Sequence, residues 1–488
     1  MKARRIVGDN PDTPRKAFTH FFSRIPPETY LEYFEILELV ILKRTHRFFS
    51  ENKIRQSAAP IIHVTNQSDC KNLLAHFPKA KLIIAHTPGE ILRSCDLRQL
   101  SNIISLNFIN VPIPRSLNFS TLPKLTVLRL DICYGLELNA LDNMTQLIEL
   151  SLNFEVHRFK GSTLRKLTNL TKLSLCQNDT ITDADIESLP LRSLCLDTNR
   201  IITPFVLKRL NLTQLNITKY ATRPLTNVIV QCTTITDLTL AMSDIDAMEK
   251  KLLFVLPIKV LNCMTWLNKL TLLDPGVSYG ERLKYLTNLT HLELIGLTTY
   301  EQVNLPSLQT LIINAKLPWV YVPSESLTNL THLEIGMVAY LADTSCLINL
   351  TYLKVSFNTY GGGQIHNLPH NLKTLILINL ASYHKINFVR LENLTTLEIF
   401  AESAKVIHHL PVHRNLRKLT LRSPNTDIND SSLMQYTSVN HLSLSIAAPL
   451  IGYCFEYMKG LFSLTIDRRN ISDPCVSQLR KRGIIVRH

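Results

Sequence analysis

The chain has 488 residues, of which 45% are hydrophobic and 19% charged, with only 14 glycines; a long disordered segment does not fit that balance. Lys and Arg outnumber Asp and Glu by 53 to 39, a net charge of +14, but the excess is spread along the chain and its dense run is Arg480-Lys481-Arg482, which argues against the basic stripe of a nucleic-acid binder. No run of 18 apolar residues is present to span a membrane, and the ten scattered cysteines form no C-x-x-C pair, the pattern of reduced thiols in the cytosol or nucleus.

Taken in chain order, residues 1–19 carry basic side chains with no apolar stretch behind them, so they read as a disordered tail and not as a signal peptide. Residues 20–55 are expected to be helical. Pro26 suits a first helical turn, and Leu31, Phe34, Leu37, Leu39 and Leu42 fall near helical spacing on one apolar face. Ile25-Pro26 and Glu28, followed by those five apolar residues, resemble the F-box, a short helical module that docks on the Skp1 subunit of a ubiquitin ligase. The resemblance implies a Skp1-like partner for Pro26, Glu28, Leu31, Phe34, Leu37, Leu39 and Leu42. The match departs from the family where the polar linker after Leu39 is short and where Phe48 or Phe49 stands in for a tryptophan. The same helix would equally serve as a cap on a repeat array, which needs a closed end.

From residue 56 to 488 one phrase recurs: an aliphatic residue, two others, an aliphatic, one other, an aliphatic. It opens at Ile103-Leu106-Phe108, runs through Leu125-Leu128-Leu130 and Leu147-Leu150-Leu152, and closes at Leu461-Leu464-Ile466. There are 17 such units, 19 to 23 residues apart, with one step of 32 between Ile235 and Leu267 that implies an insertion. Ile61 and Leu82 continue the spacing backwards and predict two weaker units. The alternation of the last two aliphatics predicts a strand in each unit. One unit cannot bury its apolar side alone, but a stack can.

This phrase resembles the leucine-rich-repeat family over about 400 residues. The resemblance implies an α/β solenoid: a curved horseshoe with a parallel sheet on the concave side and short helices, 3-10 turns and loops on the convex side. The family places Asn or Cys three residues after the core. Cys133, Asn178, Asn199 and Asn358 fill that slot here, whereas Glu155, Tyr220, Ser243, Leu297, Val338 and Leu380 do not, so a continuous ladder of buried amides is not expected and the buried turn groups need other partners. Three return segments, Ile181-Thr182-Asp183, Ile428-Asn429-Asp430 and Ile471-Ser472-Asp473, carry capping residues ahead of short apolar stretches and predict helix starts. They are similar to the repeats of F-box proteins that carry leucine-rich repeats.

No cofactor or catalytic motif is present. Gly361-Gly362-Gly363 lacks the Lys and Ser/Thr of a phosphate loop, and His408, His409 and His413 have no Cys partners. His291 with Glu293, and His332 with Glu334, come from a repeated LTNLTHLE phrase; alternate strands lie roughly 9–10 Å apart, too far for one metal ion. Asn-Leu-Thr at Asn169, Asn288, Asn329, Asn349 and Asn393 matches a glycosylation acceptor but coincides each time with the repeat. A non-enzymatic protein-binding surface is therefore expected on the strand positions between the aliphatics: Lys172, Asp237, Lys269, His291, Glu293, His332, Glu334, Tyr352, Lys354, Glu398, Lys418 and His441. Acids dominate from Glu293 to Glu398, while Arg417, Lys418 and Arg422 are basic, a gradient that orients a charged partner. Tyr352, Phe357 and Phe400 are the aromatic anchor candidates. The function expected is a substrate-recognition adaptor of a ubiquitin ligase, with a plain binding scaffold and a basic nucleic-acid binder as the alternatives.

Overall fold

The computed structural model describes residues 61–64, 81–85, 102–113, 117–133, 135–136, 140–153, 161–178, 180–197, 199, 201–218, 228–241, 258–273, 283–297, 302–321, 325–358, 367–380, 391–401, 414–423, 428–447 and 449–487. The F-box-like residues, the triple glycine and the three clustered histidines lie outside the described residues.

The chain divides into two units, with the division falling at residues 213–223. In the first, seven strands follow one another: β1 (Ile61–Val64), β2 (Lys81–Ala85), β3 (Ser105–Ile109), β4 (Val127–Asp131), β5 (Glu149–Asn153), β6 (Lys172–Cys176) and β7 (Ser193–Asp197). Each pairs in parallel with the next. In the second unit β8 (Gln214–Thr218), β9 (Asp237–Ala241), β10 (Lys269–Leu273), β11 (His291–Leu297), β12 (Thr310–Tyr321), β13 (His332–Leu341) and β14 (Tyr352–Phe357) are followed by β15 (Thr374–Leu380), β16 (Thr396–Ala401), β17 (Lys418–Arg422), β18 (His441–Ser445), β19 (Ser463–Ile466) and β20 (Ile485–Arg487). These too pair in sequence order and in parallel. The chain is a leucine-rich-repeat solenoid.

The register explains why the phrase repeats. Equivalent leucines stand side by side, as in Leu270 beside Leu292 and Leu333 beside Leu353. Leu125, Leu128, Leu130, Leu289, Leu292, Leu294, Leu350, Leu353 and Val355 are all fully or almost fully buried, as are the return-segment residues Leu283 and Leu286. Removing one such side chain to Ala costs about 2–5 kcal/mol. The long step between Ile235 and Leu267 leaves the sheet intact, because β9 pairs directly with β10.

Two registers differ from the sequence reading. Leu82 stands beside Leu106, and Ile62 beside Leu82, so Leu82 occupies the second aliphatic position and not the first. A further strand, β20, follows the last recognised phrase; Val486 stands beside Leu464.

The return segments carry short helices where the caps are found. Helix α1 (Asp183–Ile186) starts at Thr182, α4 (Asp430–Leu433) at Asn429 and α6 (Asp473–Lys481) at Ser472, with α2 (Pro204–Leu207), α3 (Ile258–Leu261) and α5 (Cys454–Tyr457) in other units. The residue before each aspartate makes the cap. Asp183 and Asp430 instead reach the next coil: the Asp183 carboxylate accepts from Thr203 N at 2.7 Å and from the Thr203 hydroxyl, and Asp430 accepts from the backbone N–H of Ile451, Gly452 and Cys454 at 2.8 to 3.1 Å.

The slot after the core is filled in two ways. Asn178 and Asn199 are buried. The Asn199 amide donates to Asn178 O at 2.7 Å, while its oxygen accepts from Ile201 N and Ile202 N at 3.1 and 2.8 Å. Cys133 is buried and its thiol donates to Phe108 O at 3.4 Å. Asn358, by contrast, is only half-buried, and its neighbour Phe357 takes the inward place. In β11, β13 and β15 the slot is plugged by Leu297, Val338 and Leu380, all buried. Each plug follows a left-handed residue: Gly296 (φ 81°), Met337 (φ 58°) and Asn379 (φ 57°). The extra residue shifts the register at each of those places. In the alternate strands Ala315, Phe357 and Ala401 turn inward one residue earlier.

Among the described residues eight cysteines are thiols outside any disulfide, and no helix is long and apolar enough to cross a membrane.

Candidate functional site

Since the aliphatics of each strand point into the core, the residues between them face outward in rows running across the strands. In the second unit the row between the two strand aliphatics reads Thr271, Glu293, Ile312, Glu334, Lys354, Ile376, Glu398 and Thr420 from β10 to β17. The row beside it reads Lys269, His291, Thr310, His332, Tyr352, Thr374, Thr396 and Lys418 over the same strands.

Four of the residues singled out in the sequence come together on β13 and β14. Glu334 is the hub: its carboxylate meets Lys354 Nζ at 2.9 Å and His332 Nε2 at 3.1 Å. The His332 and Tyr352 rings stack at 4.0 Å, within 6° of parallel. Burial opposes ionisation of Glu334, but the Lys354 ammonium and the His332 hydrogen bond outweigh it and hold this carboxyl below its ordinary range. Burial and the adjoining Glu334 charge push the Tyr352 phenol up to about 12, so it stays a neutral donor. All four are only part-buried, and each ion pair at such a site contributes about 0.2–1 kcal/mol. The cluster therefore pre-orders side chains more than it stabilises the fold.

The others lie apart. Lys269 reaches Asp237 at 3.7 Å, and Lys418 reaches Glu398 at 2.6 Å. His441 Nδ1 lies 2.8 Å from the Ser463 hydroxyl; burial, with Lys418 beside it, lowers its pKa. His291 is exposed and bonded to Thr290, and Glu293 accepts from Thr271 at 3.2 Å. Lys172 is exposed on β6 of the first unit, in register with Glu149 and Ser193. Thus His291 and His332 are separated by β12 and share no site. Of the three aromatic anchor candidates, Phe357 is core, fully buried. Phe400 is part-buried, with the Arg422 guanidinium 5.3 Å above its ring.

Sequence reasoning passed over Ile312 and Ile376, since it looked for polar residues in the outward rows. Both are part-buried on the outward face, set between Glu293 and Glu334 and between Lys354 and Glu398. The same alternation that assigns the leucines inward would have placed them. In the first unit it named only Lys172 and passed over two polar pairs: Arg129 meets Glu149 at 2.5 Å and Asp131 accepts from Asn153 at 2.5 Å. Burial and the Asp197 carboxylate push the nearby Cys176 thiol up to about 12, and burial pushes Cys133 up to about 11, so neither is a ready nucleophile.

The strand edges hold a second regular feature. Ahead of the first leucine of successive coils, an Asn amide donates to the preceding coil: Asn288 to Thr265 O, Asn329 to Pro306 O, Asn349 to Thr328 O, Asn371 to Ile348 O and Asn415 to Glu392 O, at 2.8 to 2.9 Å, with Asn393 to His370 O at 3.3 Å. The following Thr hydroxyl does the same in Thr290, Thr331, Thr351 and Thr395. The Asn-Leu-Thr phrase is a clasp between coils: amide, inward leucine, hydroxyl.

No family model matches the chain, and no curated protein matches it. Solved structures similar to it include a TLR13–ssRNA13 complex, 19% identical over 78% of this chain and 67% of that one, TM-score 0.46. A leucine-rich-repeat protein of Leptospira interrogans is 17% identical over 87% and 94% of the two chains, TM-score 0.32. The circular leucine-rich-repeat protein CroV588 is 17% identical over 83% and 66%, TM-score 0.39.

Proposed function

We propose that the chain is a non-enzymatic scaffold that seats a protein partner on the outward strand face of β11–β17, centred on His332, Glu334, Tyr352 and Lys354. The observation that supports this reading is the row Glu293, Ile312, Glu334, Lys354, Ile376, Glu398. It sets two aliphatic side chains among charged groups on a rigid sheet, the mixture typical of a protein interface with apolar anchors and a polar surround. A pre-ordered sheet loses little conformational entropy on binding. The cations of this face are committed to acids, as Lys354 to Glu334 and Lys418 to Glu398, which disfavours phosphate neutralisation along a nucleic acid.

The test places a photo-crosslinking residue at Tyr352 and repeats the capture with Ile376→Asp. A protein crosslinked by the first and lost with the second supports the reading; no crosslinked protein, or a partner indifferent to Ile376→Asp, overturns it.

The adaptor role rests on the F-box resemblance of residues 25–49. A pull-down with Skp1, repeated with Pro26→Ala and Leu31→Ala, decides it: retention by the unmutated chain and loss in the variants supports an adaptor, and no retention leaves the plain scaffold.

A further inference from the structure

A groove of about 820 Å³ runs along the edge where the strands of five consecutive coils begin, from the coil of Leu267 to that of Leu350. Its wall is built from the clasp. Asn288, Asn329 and Asn349 line it, each with its amide nitrogen tied to the preceding coil, so their side-chain oxygens are held at fixed positions. Thr290 and Thr331 line it beside them. Asn268 and Gln309 also line the groove, and both are exposed. Trp266 stands at one end, its ring fixed by a 3.1 Å hydrogen bond from Nε1 to Ile235 O.

We infer that this groove binds a neutral oligosaccharide. None of the described residues lining it is charged, so none of them selects a phosphate, a carboxylate or an ammonium group. An added peptide strand would need open backbone groups, yet the carbonyls at this edge are already taken: Thr265 O, Pro306 O and Thr328 O by the asparagines, Asn268 O and Gln309 O by the next strand and its threonine. What remains is a row of amides and hydroxyls repeating at roughly 4.8 Å, the strand spacing, commensurate with successive pyranose rings, and an indole to close one end against an apolar sugar face. Sugar hydroxyls suit this row because they both donate and accept: the Asn268 and Gln309 amides offer donors and acceptors, while the clasped threonine hydroxyls and asparagine oxygens accept.

The groove adjoins the outward strand face through Thr290 and His291, and its test uses side chains outside the proposed partner surface. Neutral β-linked gluco-, manno- and N-acetylgluco-oligosaccharides are titrated into the full chain by calorimetry, against an uncharged peptide of similar length. Asn268→Ala with Gln309→Ala removes two groove side chains that take no part in the clasp. Asn415→Ala removes a clasp outside the groove and controls for loosening of the coils. Saccharide binding that falls tenfold or more in the double variant and is unchanged in Asn415→Ala supports the inference. No saccharide binding, binding of the peptide instead, or saccharide affinity unmoved by the double variant overturns it.

Discussion

The turn after β6 and β7 and the turns after β11, β13 and β15 solve one problem by opposite means. Behind every strand the chain must bend inward, fill a space in the core and leave no backbone group without a partner. In the first unit a buried amide does both: Asn199 fills the space, accepts from the N–H groups of Ile201 and Ile202, and donates a hydrogen bond to Asn178 O. In the second unit Leu297, Val338 and Leu380 only fill; a left-handed residue precedes each, as Gln177 precedes Asn178 in the first unit. There the side-chain hydrogen bonds between coils run along the other edge of the strand, on asparagine clasps of the kind that Asn169 also makes to Thr145 O in the first unit. The lesson is that the consensus asparagine combines two jobs that this chain elsewhere separates.

Exchanging the solutions should break both. Leu380→Asn buries an amide with no prepared partner and removes apolar packing, a loss of about 4 kcal/mol, read as a lower urea midpoint. The reverse exchange, Asn199→Leu, strands the two turn N–H groups and Asn178 O and should cost about 3 kcal/mol. Equal small losses in both would show that the slot tolerates either filling and would end the comparison.

Asp430 sharpens it, since it satisfies three backbone N–H groups of the following coil. Burial opposes its ionisation, but those N–H groups and the Cys454 thiol outweigh burial and lower its pKa. A carboxyl held below its ordinary value stabilises the fold above the unfolded value of roughly 3.9 and loses that contribution as pH falls through the folded value. Stability of the unmutated chain minus that of Asp430→Asn should be flat near neutrality and shrink in acid; a difference independent of pH would remove the carboxylate from this role.

A gain is expected at Ile132. It is β-branched, half-exposed, and held at φ 56°, a conformation costly for its shape. Ile132→Asn should raise stability by about 1 kcal/mol, visible as a higher melting temperature. The smallest effect belongs to a single clasp: Asn349→Ala should cost about 1 kcal/mol, and less than Asn199→Leu because the Thr328 carbonyl it frees lies near solvent.

How much of this the sequence discloses follows from which forces leave a periodic mark. Burial does, so the leucines of the core could be assigned inward and their neighbours outward from spacing alone. The helix caps at Thr182, Asn429 and Ser472 were equally legible, because capping demands short polar side chains. The bends were not. Gly296 and Asn379 are residue types that favour a left-handed backbone, but Met337, Gln177 and Ile132 adopt it without any such signal. The register of β1 and β2 was misjudged because Ile61 and Leu82 sit in weak phrases where several aliphatics compete for the first position. The central cluster was half legible: His332, Glu334, Tyr352 and Lys354 were named, but Glu334 as their shared acceptor depends on strand register, and Ile312 and Ile376 were hidden by being apolar where polar residues were sought.

Parallel pairing of each strand only with its sequence neighbours has a mechanical corollary. Among the described residues of either unit each strand pairs only with its neighbours, so tension applied along the chain would peel the terminal coil first. Each coil of about 22 residues would release up to roughly 75 Å of extended chain, and an optical-trap record of such a unit would be a staircase of similar steps.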